Sequence, residues 1–415
     1  MNNFLYQWRH ILPGKFFRCN YLTEVFTPQC VAKAAYISRE EAEQEMYSGI
    51  RTPGMQVVVC GPARSGKSSL TYRVLLEAKK RYIISRCTEN TTIDMLVANG
   101  FAQLPPRYTK SRKERRWDKI AGALWARQAA AGNPRWPFYH TPQRLGELLA
   151  DSDMVWVVED FHQVPDPERQ KMLQVIKVFS DLSDGCGGPK LVVLGTAIAA
   201  LELFYYDADM ANRIAEVDLS YMDETEIARI IHMGERLLNI SFSAKLRNKL
   251  VQYANSLPDI SHGLGFVLCR QKGIWKKQAA VISFTEQDLM KGIENFLSEH
   301  NRYVPIIAEV VRRSDDVNLS RLLELLARSD QKGLTASKIL QHRHFQDMAQ
   351  LQLALHELTR IGGQPILMQC PYSDAYAFAD PYMKAYARMY FECIKYTCVK
   401  KTCDQKTDGT PTRHH

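Results

Sequence analysis

Short apolar runs alternate with longer stretches in which apolar residues recur every three or four positions along the first half of the chain. Runs of four to six residues rich in valine, isoleucine and leucine are typical of strands buried in a parallel sheet, and the longer periodicity predicts helices. Strands are predicted at residues 55–60, 82–87, 154–158, 190–195 and 214–219. Helices are predicted at residues 69–80, 91–104 and 167–182. The pattern indicates an α/β domain.

The second half of the chain has mainly helical periodicity. Asp223 and Glu226 are spaced as a capping box at the start of one helix, and Ser243 begins another. Further helices are predicted at residues 265–272, 319–326, 335–340 and 345–361, and a strand pair at 365–369 and 376–379. The last three helices and the strand pair together predict a winged helix.

The segment Gly61-Pro62-Ala63-Arg64-Ser65-Gly66-Lys67-Ser68 matches the phosphate-binding pattern G-x-x-x-x-G-K-[ST] at every fixed position. A strand precedes it and a helix follows, so backbone N–H groups and the helix dipole would face an anion. Lys67 would reach the β- and γ-phosphates of ATP, and the Ser68 hydroxyl would bind Mg²⁺. The nucleotide-binding residues predicted here are Gly61, Arg64, Ser65, Gly66, Lys67, Ser68 and Ser69.

Two acids follow the third predicted strand, and this is the pattern of the second half of an ATPase site. One carboxylate holds Mg²⁺, and the next orients the attacking water. The order here is Glu159-Asp160 rather than the usual Asp-Glu. We assign Glu159 to the metal and Asp160 to the water, with the exchanged assignment as the alternative.

Two further polar residues flank the later strands. Thr196 ends the strand at 190–195, where it would contact the γ-phosphate or the lytic water, or cap a helix over 197–204. Arg213 precedes the last strand, where an arginine can act in trans across a subunit interface and stabilise transition-state charge. The alternative for Arg213 is an ordinary surface arginine.

In order and spacing, the segments GPARSGKSSL, VVEDFH, LGTA and NRIAEVDLSYMDETEIARII resemble the AAA+ and STAND superclass of P-loop ATPases. Within it, the likeness is to prokaryotic ATPases of the origin-recognition and archaeal-ATPase branch, including regulators of DNA transposition. The resemblance implies a parallel five-stranded sheet between helices, followed by a helical lid. Residues 378–386 also resemble the F-x-D-P-x-x-x-x-Y ending of the winged helix in archaeal-type ATPases.

The predicted lid departs from the AAA+ pattern at one position. AAA+ relatives supply an arginine to the γ-phosphate from the start of the third lid helix, and no arginine stands at residues 258–263. His262 is the nearest candidate, since STAND proteins use lid-side histidines as nucleotide sensors. The alternative for His262 is a cap or a core histidine. The missing arginine favours a switch over a motor.

Composition and charge add little that is specific. The chain is 46% hydrophobic and 24% charged, as is ordinary for a soluble protein, and no apolar run is long enough to span a membrane. We see no signal peptide, and the scattered cysteines suit a cytoplasmic protein with free thiols. Zinc bound by Cys393, Cys398 and Cys403 is the less favoured alternative.

A basic run raises the question of DNA. Residues 107–119 hold seven Lys or Arg and two acids, a net charge of +5, with Tyr108 and Trp117 among them. A solvated loop is favoured over a nucleic-acid surface. The third winged-helix helix has a net charge of −1, which is poor chemistry for phosphates. We therefore favour a winged helix that contacts protein or inhibits the chain itself.

The predicted organisation has five parts: a wrapping segment at 1–48, the ATPase core at 49–220, the lid at 221–300, the winged helix at 301–392 and a polar tail at 393–415. The wrapping segment steers the adenine or seals the sheet edge, and Ser38 is the predicted N-cap of its helix.

The favoured function is an ATP-hydrolysing switch. ATP and Mg²⁺ would bind between core and lid, and the state of the nucleotide would control homo-oligomer assembly or a partner protein, in phage defence or mobile-element regulation. The alternatives are a DNA-associated ATPase of the transposition or replication type and a nucleotide-binding scaffold with little turnover.

Overall fold

The computed structural model describes residues 21–32, 34–104, 140–183, 187–196, 208–299, 302–313, 317–330, 333–342, 345, 347–358, 365–370 and 373–407. These residues form two compact units. The first lies within Ser38–Tyr221, and the second combines the described parts of Cys19–Ile37 and Met222–His415. The basic run at 107–119 lies outside the described residues.

The first unit is built on a five-stranded parallel sheet, as predicted. Its strands are β1 (Gln56–Cys60), β2 (Arg81–Arg86), β3 (Met154–Glu159), β4 (Lys190–Gly195) and β5 (Ile214–Asp218), in the order β2-β3-β4-β1-β5. Every pair of neighbours is parallel. The three central strands are buried along their whole length, which explains their nearly continuous apolar sequence.

Helices cover both faces of this sheet. They are α2 (Glu40–Arg51), α3 (Lys67–Glu77), α4 (Ile93–Gln103), α5 (Pro142–Ser152) and α6 (Asp166–Asp181), with 3₁₀ turns at Phe161–Gln163 and Ala208–Arg213. On one face, α2 and α3 bury Met46 and Leu70 against Val57 and Val155. On the other, α4, α5 and α6 pack around Trp156. Alternate residues of each strand therefore belong to different cores.

The start of α2 differs from the prediction. The helix begins at Glu40, and its N-cap is Arg39, which makes no side-chain capping bond. Glu43 instead reaches back, accepting hydrogen bonds from the Ser38 hydroxyl at 2.8 Å and from the Arg39 N–H at 3.2 Å. Ser38 therefore helps to close the first turn without being its N-cap. The predicted domain boundary at residues 48 and 49 falls inside this helix.

The lid part of the second unit contains α7 (Glu224–Leu238), α8 (Ala244–Ala254), α9 (Pro258–Gln271) and α10 (Glu286–Glu299). The capping box of Asp223 and Glu226 is present, and Ser243 caps α8. Helix α9 begins at Pro258, seven residues before the predicted start, because proline suits the first helical position. Two short parallel strands, β6 (Ile240–Ser241) and β7 (Ile282–Ser283), complete this part.

A segment from the start of the chain also belongs to the second unit. It includes the short helix α1 (Leu22–Val25) and places Phe26 against two glycines of the lid helices. A Cβ atom at Gly234 would lie 2.2 Å from the Phe26 ring, and one at Gly265 would lie 2.5 Å from it. The predicted wrapping segment at 1–48 is therefore divided: residues 21–37 belong to the second unit, and the helix that follows belongs to the first.

The remaining elements of the second unit are α11 (Val304–Arg313), α12 (Val317–Arg328), β8 (Leu334–Thr335), α13 (Ala336–Gln341), α14 (Met348–Leu358), β9 (Leu367–Gln369), β10 (Ala375–Phe378) and α15 (Pro381–Thr407). The three strands form an antiparallel sheet in the order β8-β10-β9. Helix α15 runs through Thr407, so the polar tail predicted at 393–415 is helical over its first fifteen residues.

Arg388 of α15 joins helix ends within the second unit. Its guanidinium donates hydrogen bonds to the carbonyls of Ala327 at 2.8 Å, Ser329 at 3.0 Å and Gln252 at 2.6 Å. Carbonyls at helix C-termini lack partners within the helix, so one cation satisfies the ends of α12 and α8 together. In the described part of the chain, no helix is long and apolar enough to cross a membrane.

Candidate nucleotide-binding site

The carboxyl ends of β1, β3 and β4 meet at one edge of the parallel sheet. Cys60 of β1 pairs with Gly195 of β4, and Val158 of β3 pairs with Val193. The predicted residues Gly61, Glu159 and Thr196 each follow or end one of these strands. The fold therefore brings the loop, the acidic pair and the threonine to the same edge, where ligands bind in open α/β sheets.

Two glycines of the loop are required for different reasons. At Gly61 a Cβ atom would lie 2.2 Å from the carbonyl oxygen of Leu219, so only glycine permits this approach to the chain after β5. Gly66 has φ +101° and open space around it, so its backbone conformation is what excludes other residues. Arg64 also has a positive φ, of 59°. The loop is therefore tightly wound just before α3 begins at Lys67.

The loop also holds an unsatisfied polar group. Ser65 is fully buried, and its hydroxyl has no hydrogen-bond partner among the described residues. The first N–H groups of α3, at Lys67 and Ser68, have no acceptor within the helix. Donors of both kinds around an electropositive helix end are what a phosphate group requires.

Lys67 lies folded back on the loop. Its ammonium donates hydrogen bonds to the carbonyl oxygens of Gly61 at 3.0 Å and Pro62 at 2.6 Å. Burial lowers the pKa of Lys67, and the charge of Asp160 acts in the opposite direction. The cation is therefore held within the loop and needs only a side-chain rotation to leave its two carbonyls.

Glu159 ends β3 and is held by two donors. The Ser68 hydroxyl donates to its Oε1 at 2.7 Å, and Nε of Arg86 donates to its Oε2 at 3.0 Å. The hydrogen bond to Glu159 is the largest of the effects that raise the pKa of Arg86. The side chain of Glu159 is 9% exposed and that of Arg86 is 73% exposed. A buried carboxylate is thus paired with a cation that stands at the surface.

The oxygens of Ser68 and Glu159 fit Mg²⁺. Magnesium prefers hard oxygen ligands and usually keeps water and phosphate oxygens beside one or two protein groups. Nowhere in the described part of the chain do three or more His, Cys, Asp or Glu side chains form a metal-binding group. The hydroxyl of Ser68 and the carboxylate of Glu159, 2.7 Å apart, would supply two such protein ligands to a phosphate-bound ion.

Asp160 differs from Glu159 in backbone conformation, exposure and hydrogen bonding. Its backbone is left-handed, with φ 57°, and its side chain is exposed. Its carboxylate accepts no hydrogen bond from the described residues, whereas its charge acts on Lys67. This contrast fits the assignment of the metal to Glu159 and the water to Asp160, and both roles stay predictions. Thr196 is half-buried at the end of β4, and the helix predicted after it lies outside the described residues.

Arg213 lies at the other edge of the sheet. Ile214, which follows it, pairs with Gln56 at the start of β1, whereas the loop follows the end of β1. The Arg213 guanidinium forms an ion pair with Asp181, the last residue of α6. The structure therefore does not bring Arg213 together with the loop of its own chain. Its action in trans stays a prediction.

His262 lies within α9 of the second unit. The ring is buried, and its Nδ1 accepts a hydrogen bond from the backbone N–H of Thr27 at 3.2 Å. Burial lowers the pKa of His262 to about 4. The histidine is therefore neutral at physiological pH and joins α9 to the segment around Phe26. Its role as a nucleotide sensor stays a prediction.

Two residues at the site did not emerge from the sequence. Arg86 ends β2, and its pairing with Glu159 depends on β2 and β3 being neighbours, which the sequence does not show. Tyr72 lies on α3 one turn after Ser68, and its ring stacks on Tyr82 with centroids 5.2 Å apart. A tyrosine on an amphipathic helix carries no signal of its own.

Residues 27–95 match the family model of an AAA-like domain. The Walker-type ATPase PABY2304 of Pyrococcus abyssi is similar in structure, with a TM-score of 0.50, 16% identity, and coverage of 85% of this chain and 96% of that one. The ORC2 protein of Aeropyrum pernix has a TM-score of 0.42 and 12% identity, over 90% of this chain and 98% of its own. Cdc6p of Pyrobaculum aerophilum has a TM-score of 0.41 and 15% identity, over the same shares.

No match to a curated protein was found by sequence. The match of residues 27–95 spans β1, the loop, α3 and β2. The structural likeness to the Pyrococcus protein covers most of the chain and concerns its fold.

Proposed function

We propose that this chain, which carries an AAA-like domain and the fold of a P-loop ATPase, binds ATP with Mg²⁺ and hydrolyses it as a cytoplasmic molecular switch. The state of the nucleotide controls homo-oligomer assembly or the binding of a partner protein. The observation that carries the proposal is the hydrogen bond between Ser68 and Glu159, beside a loop that holds Lys67. This arrangement joins a phosphate site to a cation site at one sheet edge.

Each residue of the site has a separate task in this proposal. The loop N–H groups and Lys67 bind the phosphates, with Lys67 exchanging its two loop carbonyls for phosphate oxygens. Ser68 and Glu159 hold Mg²⁺, which when bound neutralises charge on the phosphates. Asp160 orients the attacking water, and Thr196 contacts that water or the γ-phosphate. Arg213 supplies positive charge to the site of a neighbouring subunit.

A switch is favoured over a DNA motor by the surface of α14. We propose that residues 301–392 include a winged helix, in which α14 is the helix that would read DNA. The described residues of α14 and its cap include Asp347 and Glu357 and no lysine or arginine. Leu353 is 72% exposed on this helix. An acidic surface with an exposed leucine suits a protein partner better than phosphates.

The biological setting follows from resemblance alone. The likeness of the motifs to regulators of DNA transposition and to STAND switches motivates phage defence or mobile-element regulation as the setting. His262 is the proposed nucleotide sensor of the lid.

The test is to measure binding of a fluorescent ATP analogue, phosphate release and light scattering on the full-length protein. Mg²⁺-dependent binding, slow phosphate release and ATP-dependent growth in mass are expected. Binding without phosphate release would favour the scaffold. Failure to bind the analogue at all would overturn the proposal.

The DNA-associated ATPase is tested in the same assay by adding duplex DNA at several salt concentrations. Strong stimulation that disappears when Arg112, Lys113, Arg115 and Arg116 are changed to alanine would favour that function. A DNA affinity that falls with salt at a log–log slope of about −0.9 per phosphate contacted would agree with it. We expect no stimulation.

A further inference from the structure

Glu159 has more potential donors around it than its two hydrogen bonds use. A buried carboxylate requires donors for both oxygens, because burial without partners is costly. Ser68 donates a hydrogen bond to Oε1, whereas the exposed side chain of Arg86 donates one to Oε2. The buried acid therefore depends, at one oxygen, on a side chain that solvent can reach.

Tyr72 offers a second donor at this point. Its hydroxyl is buried and makes no hydrogen bond of regular geometry with the described residues, although it lies close enough to the Glu159 carboxylate to interact with it. Tyr72 lies four residues after Ser68 on α3, so both side chains project from the same face of the helix towards β3. Buried hydroxyls in folded proteins nearly always have partners, so this one calls for an explanation.

The position of the Tyr72 ring is consistent with a side chain that points towards β3. Tyr72 stacks on Tyr82 of β2, and Tyr82 lies on the same side of that strand as Arg86, four residues on. Arg86 in turn pairs in register with Glu159. The Tyr72 ring is thus fixed between the helix that carries Ser68 and the strand that carries Arg86.

We propose that Tyr72 is a positioning residue that donates its hydroxyl to Oε2 of Glu159 when Arg86 withdraws. The proposal rests on the proposed function, since it concerns the metal-holding acid of that site. Arg86 and Tyr72 then define two states of one carboxylate. Arg86 neutralises the negative charge of Glu159, whereas the hydroxyl of Tyr72 holds the carboxylate in place and leaves its charge available to a cation.

The electrostatics of the tyrosine suit this role. Burial raises the pKa of Tyr72 most, and the charge of Glu159 and the hydrogen-bonding interaction of the hydroxyl with that carboxylate act in the same direction. The phenol is therefore protonated throughout the neutral range and can donate. In the arginine-paired state the site holds Mg²⁺ weakly, and in the tyrosine-held state it holds Mg²⁺ well. Exchange of Arg86 for Tyr72 as the donor to Oε2 would link Mg²⁺ binding to contacts made at the surface, where Arg86 is exposed.

The experiment compares the affinity of the full-length protein for a fluorescent ATP analogue in Mg²⁺ and in EDTA. The ratio of the two affinities is the Mg²⁺-dependent gain. Tyr72→Phe keeps the ring and removes only the hydroxyl, and it should lower the gain about tenfold, as expected for a hydrogen bond to a charged group. Affinity in EDTA should be unchanged. Arg86→Ala should keep or increase the gain.

Tyr47→Phe is the matched control, because Tyr47 lies on α2 of the same unit and its ring contacts Arg51. It should behave as the wild type. An unchanged gain in Tyr72→Phe would overturn the proposal, as would equal losses in Mg²⁺ and in EDTA, which would indicate a merely structural role. A wild-type protein that shows no Mg²⁺-dependent gain would instead contradict the proposed function.

Discussion

The hydroxyl of Ser68 donates a 2.7 Å hydrogen bond to Oε1 of Glu159, a residue 91 positions further along the chain. The bond connects the first turn of α3 to the end of β3, so it fixes the position of the phosphate-binding helix relative to that strand. A ligand that separates these two oxygens must act on both elements.

Replacing Lys67 with alanine should weaken binding of the ATP analogue about 10- to 100-fold, because charge-assisted hydrogen bonds to the phosphates are lost. Fluorescence titration measures the effect. Lys177→Ala, an exposed lysine on α6, is the control and should bind as the wild type does. Equal affinity of Lys67→Ala and wild type would show that the nucleotide binds elsewhere.

The two acids should have different effects. Asp160→Asn leaves the Ser68–Glu159 bond intact, so nucleotide should stay bound while phosphate release falls about a hundredfold or more. Glu159→Gln removes the charge beside Ser68 and should weaken Mg²⁺-dependent binding. Binding and single-turnover assays separate the two outcomes. The reverse pattern would exchange the two assignments.

Arg213 should be required from a neighbouring subunit. Arg213→Ala and Lys67→Ala subunits should each be inactive alone, and a mixture should regain part of the ATPase activity, because each variant supplies the group that the other lacks. Co-assembly is verified by light scattering. A co-assembled mixture without activity would return Arg213 to a surface role in its ion pair with Asp181.

His262 should make the free energy of unfolding depend on pH in acid. Its pKa in the folded protein is about 4, below the ordinary value of 6.5, so the unfolded chain binds more protons between these values. Stability is therefore full above pH 6.5 and falls as the pH drops towards 4, by about 3 kcal/mol from this group.

The test of His262 is the difference between wild type and His262→Asn, measured as thermal midpoints from pH 4 to 7. Asparagine can still accept the hydrogen bond from Thr27 but does not titrate. Carboxylates contribute equally to both proteins, so only the difference is interpreted. Parallel curves for the two proteins would exclude this role of His262.

Gly265→Ala should destabilise the second unit by about 1–3 kcal/mol through overpacking. The new Cβ atom would lie 2.5 Å from the Phe26 ring, which is also in close approach to Gly234 and cannot retreat. Denaturant unfolding measures the loss. Phe26→Leu in the same chain should restore part of it, and a double variant no more stable than Gly265→Ala would argue against steric conflict.

The sheet was predictable because its chemistry is local. Valine-rich runs as in β1 and β4 are typical of a buried strand, and the phosphate-binding pattern from Gly61 to Ser68 is recognisable without its partners, although the need for glycine at Gly61 comes from the approach of Leu219. The ion pair of Arg86 with Glu159 could not be foreseen, since it depends on which strands become neighbours. The same holds for the position of Phe26, whose two glycines lie more than 200 residues away in sequence. Helix α11 was missed, although its sequence is amphipathic.

The discontinuity of the second unit has a consequence for synthesis of the chain. Thr27 and His262, which are hydrogen-bonded, are separated by 235 residues. At a synthesis rate of about 5–20 residues per second, the lid helices that carry Gly234 and Gly265 emerge from the ribosome on the order of 10–50 s after the segment around Phe26. During that time the intervening first unit can fold, while Leu22, Val25 and Phe26 remain without their final cover. Chaperones that bind short apolar segments of nascent chains would therefore meet this protein at the segment around Phe26.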